Sequence, residues 1–288
     1  PFSFWKEDEV PCVESMLGSP SPGTAPLGVY YHVPFCRKRC HFCYFRVYTD
    51  KNSHDVRRYM DATIRELEAY ANSPYLKGRK PKFIYFGGGT PSYLSAQQLT
   101  ELTDRMKAII PWDDAEEVTF ECEPGTLSEK KLEVIKNFGV TRLSLGIENF
   151  NDHILETNGR AHRSEEVFKA YDFARNLGFQ NINIDLIAGM LEETDENWKK
   201  CIERVLELSP DCITIYQMEV PFNTTIFKSM KNQGKLTAPV ADWPTKRKWV
   251  TQAYEALENA GYTVTSAYTA VKDPENTKFV YRDRLWAG

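Results

Sequence analysis

What the 288-residue sequence lacks already excludes several classes of protein. No apolar run approaches the about 20 residues that a membrane-spanning helix needs. Residues 1–9 show neither the basic start nor the apolar stretch of a secretory signal. Neither sign of charge dominates, since 36 basic residues against 40 acidic ones leave a net charge of −4. With no overall field to attract nucleic acid or an anionic membrane, the sequence predicts a soluble, cytoplasmic protein that binds neither.

Cysteine is sparse and odd in number, yet three of the seven cysteines are grouped. Cys36, Cys40 and Cys43 fall within eight residues, whereas the other four are scattered. An odd count without a secretory signal argues against a disulfide scaffold. The group therefore indicates metal or redox chemistry.

After residue 28, short apolar runs alternate with amphipathic stretches. Runs that are apolar on both faces are typical of buried parallel strands. The stretches between them have helical periodicity, and two begin at good capping residues, Ser53 and Ser95. Six β/α units predict an α/β fold, a partial (β/α)6 barrel, because a full barrel has eight. The predicted strands are 29–33, 83–86, 118–121, 142–146, 182–187 and 212–218; the later helices are 128–137, 164–177, 194–208 and 244–260.

The chain divides into three parts by composition. Residues 1–28 are rich in proline, serine and glycine and are interpreted as an N-terminal arm. Residues 29–260 form the partial barrel. Residues 261–288 are interpreted as the start of a C-terminal extension that is cut short, with a further strand at 262–268.

Unusual residues follow nearly every predicted strand. Because function in such barrels lies at the carboxyl ends of the strands, these residues predict one site at one rim. Each has a plainer alternative: a glycine run also makes turns, a strand carboxylate also binds backbone amides, and rim residues also form salt bridges. The residues are the cysteine group, Gly87–Gly89 with Thr90, Glu121, Glu123, Glu148, Asp185 and Met218.

Three thiolates in one loop can hold three irons of a [4Fe–4S] cluster and leave the fourth iron open for chemistry. The neighbouring Arg37, Lys38 and Arg39 are expected to lower the pKa of the thiols. Two alternatives stay open from the spacing: a structural zinc site with His41 or a remote cysteine as fourth ligand, and three unrelated cysteines.

Residues 30–43 (YYHVPFCRKRCHFC) resemble the radical S-adenosylmethionine (SAM) enzymes. More narrowly, the sequence from about residue 29 onward is similar to the oxygen-independent coproporphyrinogen III oxidase family. Further motifs that carry the resemblance are 86–92 (FGGGTPS), 139–150 (GVTRLSLGIENF), 183–187 (NIDLI) and 281–286 (YRDRLW).

The resemblance implies a [4Fe–4S] cluster on Cys36, Cys40 and Cys43, with SAM chelating the free iron. Glu148 and Asp185 are the candidate catalytic residues. A second SAM is implied for some members, and Tyr30, Gly88 and Glu121 match its contacts. The residues that match contacts to the cluster-bound SAM are Phe42, Gly88, Gly89, Thr90, Glu148, Arg160, Asp185 and Met218.

The implied reaction is cleavage of SAM to a 5′-deoxyadenosyl radical, with oxidative decarboxylation of coproporphyrinogen III in porphyrin biosynthesis as the leading hypothesis. One alternative is a two-SAM radical methyl or methylene transferase, or a cyclopropane-forming relative, acting on an aromatic or natural-product scaffold. The other is a haem-binding chaperone without turnover. The implied partners are a tetrapyrrole or aromatic small molecule and an electron donor such as flavodoxin or ferredoxin.

Three departures from the family pattern bear on the reaction. Phe45 stands where the oxidases usually have a fourth cysteine. Glu148 stands where the family commonly has glutamine, so an amide donor is replaced by a negative charge. Residues 275–281 (ENTKFVY) lack the histidine of the haem-chaperone motif.

Overall fold

The computed structural model describes residues 9–21, 23, 25–277 and 279–286. An open sheet of eight strands runs through them, and its first six strands are parallel and lie in chain order. This confirms the predicted α/β fold with six β/α units. The parallel strands are β1 (Leu27–Val33), β2 (Pro81–Gly88), β3 (Glu117–Cys122), β4 (Arg142–Glu148), β5 (Asn181–Ala188) and β6 (Cys212–Gln217).

Two short strands extend this sheet in the antiparallel sense. β8 (Thr269–Val271) pairs with β6, and β7 (Thr263–Val264) pairs with β8. The single strand predicted at 262–268 is therefore wrong in its extent. A turn separates β7 from β8, and hydrogen bonds to a distant strand decide where β8 begins, so the local apolar run does not show its limits.

Helices cover the outer face of the parallel strands, and each predicted helix is present. The capping box at Ser95 is confirmed, whereas the first crossover helix is capped by Asn52, one residue before the predicted Ser53. The helices that were predicted are α2 (Ser53–Asn72), α3 (Ala96–Ile109), α4 (Glu129–Asn137), α6 (Ser164–Asn176), α7 (Asp195–Leu208) and α9 (Trp243–Asn259).

Four further helices carry no strong local signal and were not predicted. They are α1 (Val10–Leu17), α5 (Asp152–Thr157), α8 (Thr225–Asn232) and α10 (Val280–Trp286). α1 lies inside the predicted arm, of which residues 1–8, 22 and 24 are outside the described residues. Residues 278, 287 and 288 of the predicted extension are outside them too, and the division into arm, barrel and extension stays a prediction.

The two faces of the strands differ in chemistry. Outward-facing side chains such as Phe86, Phe120 and Leu145 pack against the helices and are fully buried. Polar side chains such as Ser144 and Asp185 point to the inside of the curved sheet, where they bond to one another. Burial of the apolar outer face stabilises the fold, and the inner face is left for polar groups. None of the described helices is both long and apolar enough to cross a membrane.

α10 closes the end of the barrel at which the strands begin, which we call the lower end. The Glu117 carboxylate, at the start of β3, accepts hydrogen bonds from the Val280 and Tyr281 amides at 2.8 and 3.3 Å. The buried Arg142 guanidinium, at the start of β4, lies 4.0 Å from the centre of the Phe279 ring. The opposite end, where the strands finish, is open and is called the upper rim.

Candidate active site

A cavity of about 690 Å³ lies at the upper rim, and it gathers residues from every parallel β/α unit. Two residues of the predicted site, Tyr30 and Gly87, do not line this cavity. The Tyr30 hydroxyl lies 3.1 Å from His32 Nδ1, and the Tyr30 ring stacks on Tyr85, which does line the cavity. The predicted residues that line it are Cys36, Cys40, Phe42, Cys43, Gly88, Gly89, Thr90, Glu121, Glu148, Arg160, Asp185 and Met218.

The loop that carries the three cysteines follows β1 and is fixed by backbone hydrogen bonds. The Cys36 amide donates to the Tyr48 carbonyl at 3.1 Å, and the Cys43 amide donates to the Cys40 carbonyl at 3.1 Å. His41 Nδ1 lies 2.9 Å from the Thr157 carbonyl, so this nitrogen is committed to the protein. Because His41 does not line the cavity with the thiols, the zinc alternative lacks its nearby fourth ligand.

Burial governs the ionisation of the thiols. It raises the pKa of Cys36 to about 11, and it also raises the pKa of Cys43. Arg39 does act to lower the pKa of Cys43, as expected of the basic neighbours, but burial outweighs it, and no basic neighbour lowers the pKa of Cys36. The Arg37 guanidinium turns to Glu123 at 2.5 Å, and the Arg39 guanidinium donates to the Cys43 carbonyl at 3.0 Å. A buried thiol with a raised pKa is still ionised when a metal binds it, because coordination stabilises the thiolate.

The glycine-rich loop after β2 packs directly against the cysteine loop. Gly88 has a φ of 114°, and a Cβ atom there would lie 2.7 Å from the His32 ring. A Cβ at Gly89 would lie 3.0 Å from Cys36 Sγ, and the Gly89 amide donates to the Val33 carbonyl at 2.7 Å. Only glycine fits such positions. Thr90 Oγ1 then donates to Cys36 Sγ at 3.3 Å, which joins the two loops.

Two largely buried glutamates line the cavity and have a raised pKa. Glu121 accepts hydrogen bonds from the Tyr85 hydroxyl at 2.6 Å and from the Gly88 amide at 3.2 Å, and burial raises its pKa to about 7. Burial also raises the pKa of Glu148 to about 7, although the Arg160 guanidinium lies 3.5 Å away. Glu148 has a φ of 67°, an uncommon conformation for a residue with a side chain.

Asp185 is satisfied by side chains of its own and the neighbouring strand. Its carboxylate accepts from Ser144 Oγ at 2.7 Å and from Asn183 Nδ2 at 2.9 Å. Thr214 Oγ1 donates to Asn183 Oδ1 at 3.0 Å and extends the network to β6. Burial nevertheless raises the pKa of Asp185. The alternative in which backbone amides satisfy this carboxylate is replaced by a network of side chains across three strands.

Arg160 is the buried cation of the cavity. Its guanidinium donates to Cys40 Sγ at 3.3 Å and to the Gly146 carbonyl. Its Nε atom is buried without a hydrogen-bond partner, and so is the Nε atom of Arg39 on the cysteine loop. A buried donor without a partner costs about 1–3 kcal/mol, so such atoms point to a ligand.

These donors fit an iron–sulfur cluster with an amino-acid ligand. The three thiols of the cysteine loop line one cavity, to which β3 adds the buried Cys122; guanidinium groups would complement the negative charge of a cluster, and the glycine loop has no side chain beside Cys36. Among the described residues, no three His, Cys, Asp or Glu side chains are arranged around a single metal ion.

Sequence reasoning missed several aromatic residues of the cavity. Tyr85 and Tyr216 alternate with core residues along β2 and β6, so a period-2 analysis of the inner face would have found them. Tyr268 immediately precedes β8, Trp243 is the first residue of α9, and no local signal places either of them here. Ser144 lies inside a predicted strand and has the same period-2 signal.

A partial barrel of parallel strands with three grouped cysteines at its upper rim defines a class of metal-dependent enzymes. Within that class, residues 30–205 match the family model described as "Radical SAM superfamily". Since the match covers well over half of the chain, the chain belongs to the radical SAM superfamily.

Individual relatives divide between two kinds of protein. The chain is 36% identical over 214 residues to the "Heme chaperone HemW" of Bacillus subtilis (strain 168), covering 73% of this chain and 55% of that protein. It is 32% identical over 191 residues to the "Oxygen-independent coproporphyrinogen III oxidase" of Escherichia coli (strain K12), covering 66% and 41%. The chain thus spans about half the length of these curated relatives.

Among solved structures, the chain is similar to coproporphyrinogen III oxidase (HemN) from Escherichia coli, described as a radical SAM enzyme. The TM-score is 0.81 at 26% identity, and the match covers 98% of this chain and 62% of that one. The two chains therefore share the fold over nearly the whole of the shorter one.

Proposed function

We propose that this chain is the catalytic core of an enzyme that cleaves SAM at a [4Fe–4S] cluster held by Cys36, Cys40 and Cys43. When bound, the cluster supplies the electron that splits SAM into methionine and a 5′-deoxyadenosyl radical. The observation that carries the proposal is the cavity itself, which gathers three thiols, a glycine loop and buried carboxylates within one superfamily fold.

The surrounding residues have separate tasks in this proposal. Thr90 and Arg160 donate to the sulfur atoms of Cys36 and Cys40, so they stabilise the thiolate forms. The Gly88–Gly89 backbone would hold the methionine end of SAM, since no side chain intervenes there. Phe42 would hold the adenine, and Met218 lines the same cavity.

Buried carboxylates favour a ligand that is positively charged. Glu121, Glu148 and Asp185 line the cavity, and desolvation raises the pKa of each. A ligand cation lowers such a pKa again, because it stabilises the charged form. SAM carries a sulfonium cation, so Glu148 and Asp185 serve as its electrostatic partners and orient it for cleavage.

We place one SAM in the cavity rather than two. The Gly88 amide and the Glu121 carboxylate are already bonded to each other at 3.2 Å, and Tyr30 lies behind Tyr85. Two of the three matched contacts for a second SAM thus line the cavity, and the third does not.

For the substrate we propose a tetrapyrrole, with oxidative decarboxylation of coproporphyrinogen III as the reaction. Support comes from the likeness to an oxidase structure across 98% of the chain and from the aromatic walls of the cavity. Haem binding without turnover is the second candidate, because the relative at 36% identity is a haem chaperone.

The experiment that tests SAM cleavage is anaerobic. The protein is reconstituted with iron and sulfide, reduced with dithionite and given SAM, and 5′-deoxyadenosine is quantified by mass spectrometry. The wild type is expected to form it, and Cys40→Ala is expected to form none, since the cluster loses one of three ligands. A wild type with its full iron content and no product would contradict the proposal.

The same preparation separates the two candidate substrates. Coproporphyrinogen III is expected to raise the yield of 5′-deoxyadenosine in parallel with its own decarboxylation. Stoichiometric haem binding with a shifted Soret band, together with no effect of coproporphyrinogen, would favour the chaperone.

A further inference from the structure

The outer side of the cysteine loop is strongly basic although the chain as a whole is acidic. Residues 36–46 contain four basic residues and no acidic one, and residues 220–236 contain three and none. The whole sequence, by contrast, has a net charge of −4. We call these two segments together the basic face.

Direct contacts make the two segments one surface. The Ile226 amide at the start of α8 donates to the His41 carbonyl at 3.1 Å. The side-chain amide of Asn223 donates to the Tyr44 carbonyl at 2.6 Å. α8 is therefore attached to the loop that carries the thiols, and its lysines stand beside that loop.

Within the basic face, Arg37 is paired with Glu123 and Arg39 donates to the Cys43 carbonyl, whereas the other exposed cations of the described chain there lack acidic partners. Lys38, Arg46, Lys228 and Lys231 are exposed, and within the described part of the chain none of them forms an ion pair. Several exposed lysines elsewhere on the chain are paired, as Lys80 is with Asp114 at 2.6 Å. Unpaired like charges on one surface repel one another, and an acidic partner relieves that repulsion.

Exposed aromatic rings lie among these cations. Tyr44 and Phe222 are 55% and 73% exposed, and the Tyr44 and Phe45 rings lie 4.5 Å apart. Aromatic residues within a charged rim are the composition of a protein–protein interface. Tyr44 and Phe45 also line the cavity that holds Cys40 and Cys43, so a partner seated here is close to the thiols.

We propose that the basic face docks an acidic electron-transfer protein that carries a flavin or an iron–sulfur group. The inference rests on the proposed function, because only a cluster at the thiols needs an electron from outside. In the step concerned, one electron passes from the reduced group of the donor to the oxidised cluster, and no bond forms or breaks. The loop with the metal ligands is thus also part of the docking surface.

Binding of a flavodoxin with a net negative charge tests the proposal without any turnover. The dissociation constant is measured by calorimetry on the cluster-loaded protein at about 50 and 200 mM salt. Since the Debye length shortens over this range, affinity is expected to fall with salt. Lys228→Glu is expected to weaken binding roughly fivefold, and Lys228→Glu/Lys231→Glu roughly tenfold or more.

A matched control is Lys77→Glu, the same change of charge on an exposed lysine between α2 and β2 at the lower end. It is expected to alter the dissociation constant by less than about twofold. Equal weakening by Lys77→Glu and Lys228→Glu would overturn the proposal, because the effect would then come from net charge alone. Salt-independent binding of flavodoxin would overturn it too. So would a third result, in which Lys228→Glu abolishes tight binding of RNA but leaves flavodoxin binding unchanged.

The source of the electron separates this proposal from the proposed function. With dithionite, Lys228→Glu/Lys231→Glu is expected to form 5′-deoxyadenosine as the wild type does. With flavodoxin reduced beforehand, the variant is expected to be roughly tenfold slower at low donor concentration. Equal rates with flavodoxin would overturn the docking surface. No product with either reductant, in the wild type, would instead contradict SAM cleavage.

Discussion

The two ends of the barrel bury charge in opposite ways. At the lower end, Arg142 donates to Asn181 Oδ1 and to Cys212 Sγ, both at 3.2 Å, and Glu117 caps α10. At the upper rim, Arg160 keeps an unpartnered Nε atom, and Glu148 has a φ of 67°. All four buried side-chain atoms without a partner in the described chain belong to upper-rim residues: Arg39, Arg160, His162 and Gln217.

Buried charges with complete hydrogen bonds, at the lower end, stabilise the fold. Buried charges with incomplete hydrogen bonds, at the upper rim, are expected to bind a ligand. A buried polar group with its hydrogen bonds complete contributes to a unique structure, whereas an incomplete one lowers stability until something binds it. Natural proteins retain such costs at functional sites. Substitutions at the two ends are therefore expected to act on different measurements.

The largest effect is expected from Arg142→Met at the lower end. The variant leaves the Glu117 carboxylate buried without its nearby cation, and it removes a guanidinium stacked on Phe279. Loss of this buried guanidinium, with its bonds to Asn181 and Cys212, is expected to cost about 3–5 kcal/mol, which urea unfolding would measure. Arg142→Met/Glu117→Gln is the control, since it leaves no unpaired charge and is expected to recover part of the loss. A double variant as unstable as the sum of the two single ones would show that the charges are independent.

Arg160→Met, the corresponding change at the upper rim, is expected to act on ligand binding. It removes the donor to Cys40 Sγ and the cation beside Glu148. Glu148 can take up a proton, since its pKa is about 7 already, so the fold is spared most of the cost. SAM affinity of the reconstituted protein is expected to fall by roughly 100-fold, which calorimetry would measure.

Arg160→Lys provides the control for this change. It keeps the charge but loses the planar fork that reaches both Cys40 and Gly146, so an intermediate affinity is expected. If Arg160→Met bound SAM normally and unfolded more easily, Arg160 would have to be grouped with Arg142 as a structural cation.

A pH dependence of stability is expected from the upper rim. The pKa of Glu148 is about 7 in the folded protein against an ordinary 4.5, so the folded state holds a proton that the unfolded state releases between these values. Stability therefore falls as pH rises from 4.5 through 7. Glu148→Gln removes this contribution, and we expect it to exceed the wild type by about 2 kcal/mol at pH 8 and to equal it at pH 5.

Urea unfolding of the metal-free protein at the two pH values checks this prediction. Burial raises the pKa of Glu121 to about 7 as well, so the Glu148→Gln variant keeps part of the dependence of stability on pH. A variant less stable than the wild type at pH 8 would mean that the ion pair with Arg160 outweighs desolvation.

Local sequence patterns were sufficient for the repeated part of the fold. Strands such as β5 are apolar on both faces, and helices such as α3 begin with a capping box, so each element is specified by its own residues. α10 could not be found this way, because its cap, Glu117, lies 163 residues from Val280 in the chain. β8 is three residues long and depends on β6 in the same manner.

The candidate site shows the same limit. Residues at the ends of parallel strands meet by topology, so their convergence followed from the strand assignments. The raised pKa of Cys36 did not follow from the sequence. Burial of the thiol outweighs its three basic sequence neighbours, and burial cannot be read from the sequence. Tyr30 matched a family contact by position, yet its side chain is engaged with His32 and Tyr85.

The smallest effect is expected from Glu117→Gln at the lower end, and it tests whether the two ends are independent. The amide keeps one acceptor oxygen but turns an N–H group toward one of the donors that the carboxylate satisfies, so about 1 kcal/mol of stability is lost. SAM affinity, measured by the same calorimetry, is expected to be unchanged. One route could contradict this: the Tyr281 ring packs against the Tyr85 ring with their centres 4.5 Å apart, and Tyr85 donates to Glu121 at the upper rim. Weaker SAM binding by Glu117→Gln would show that α10 positions Glu121 through these two rings.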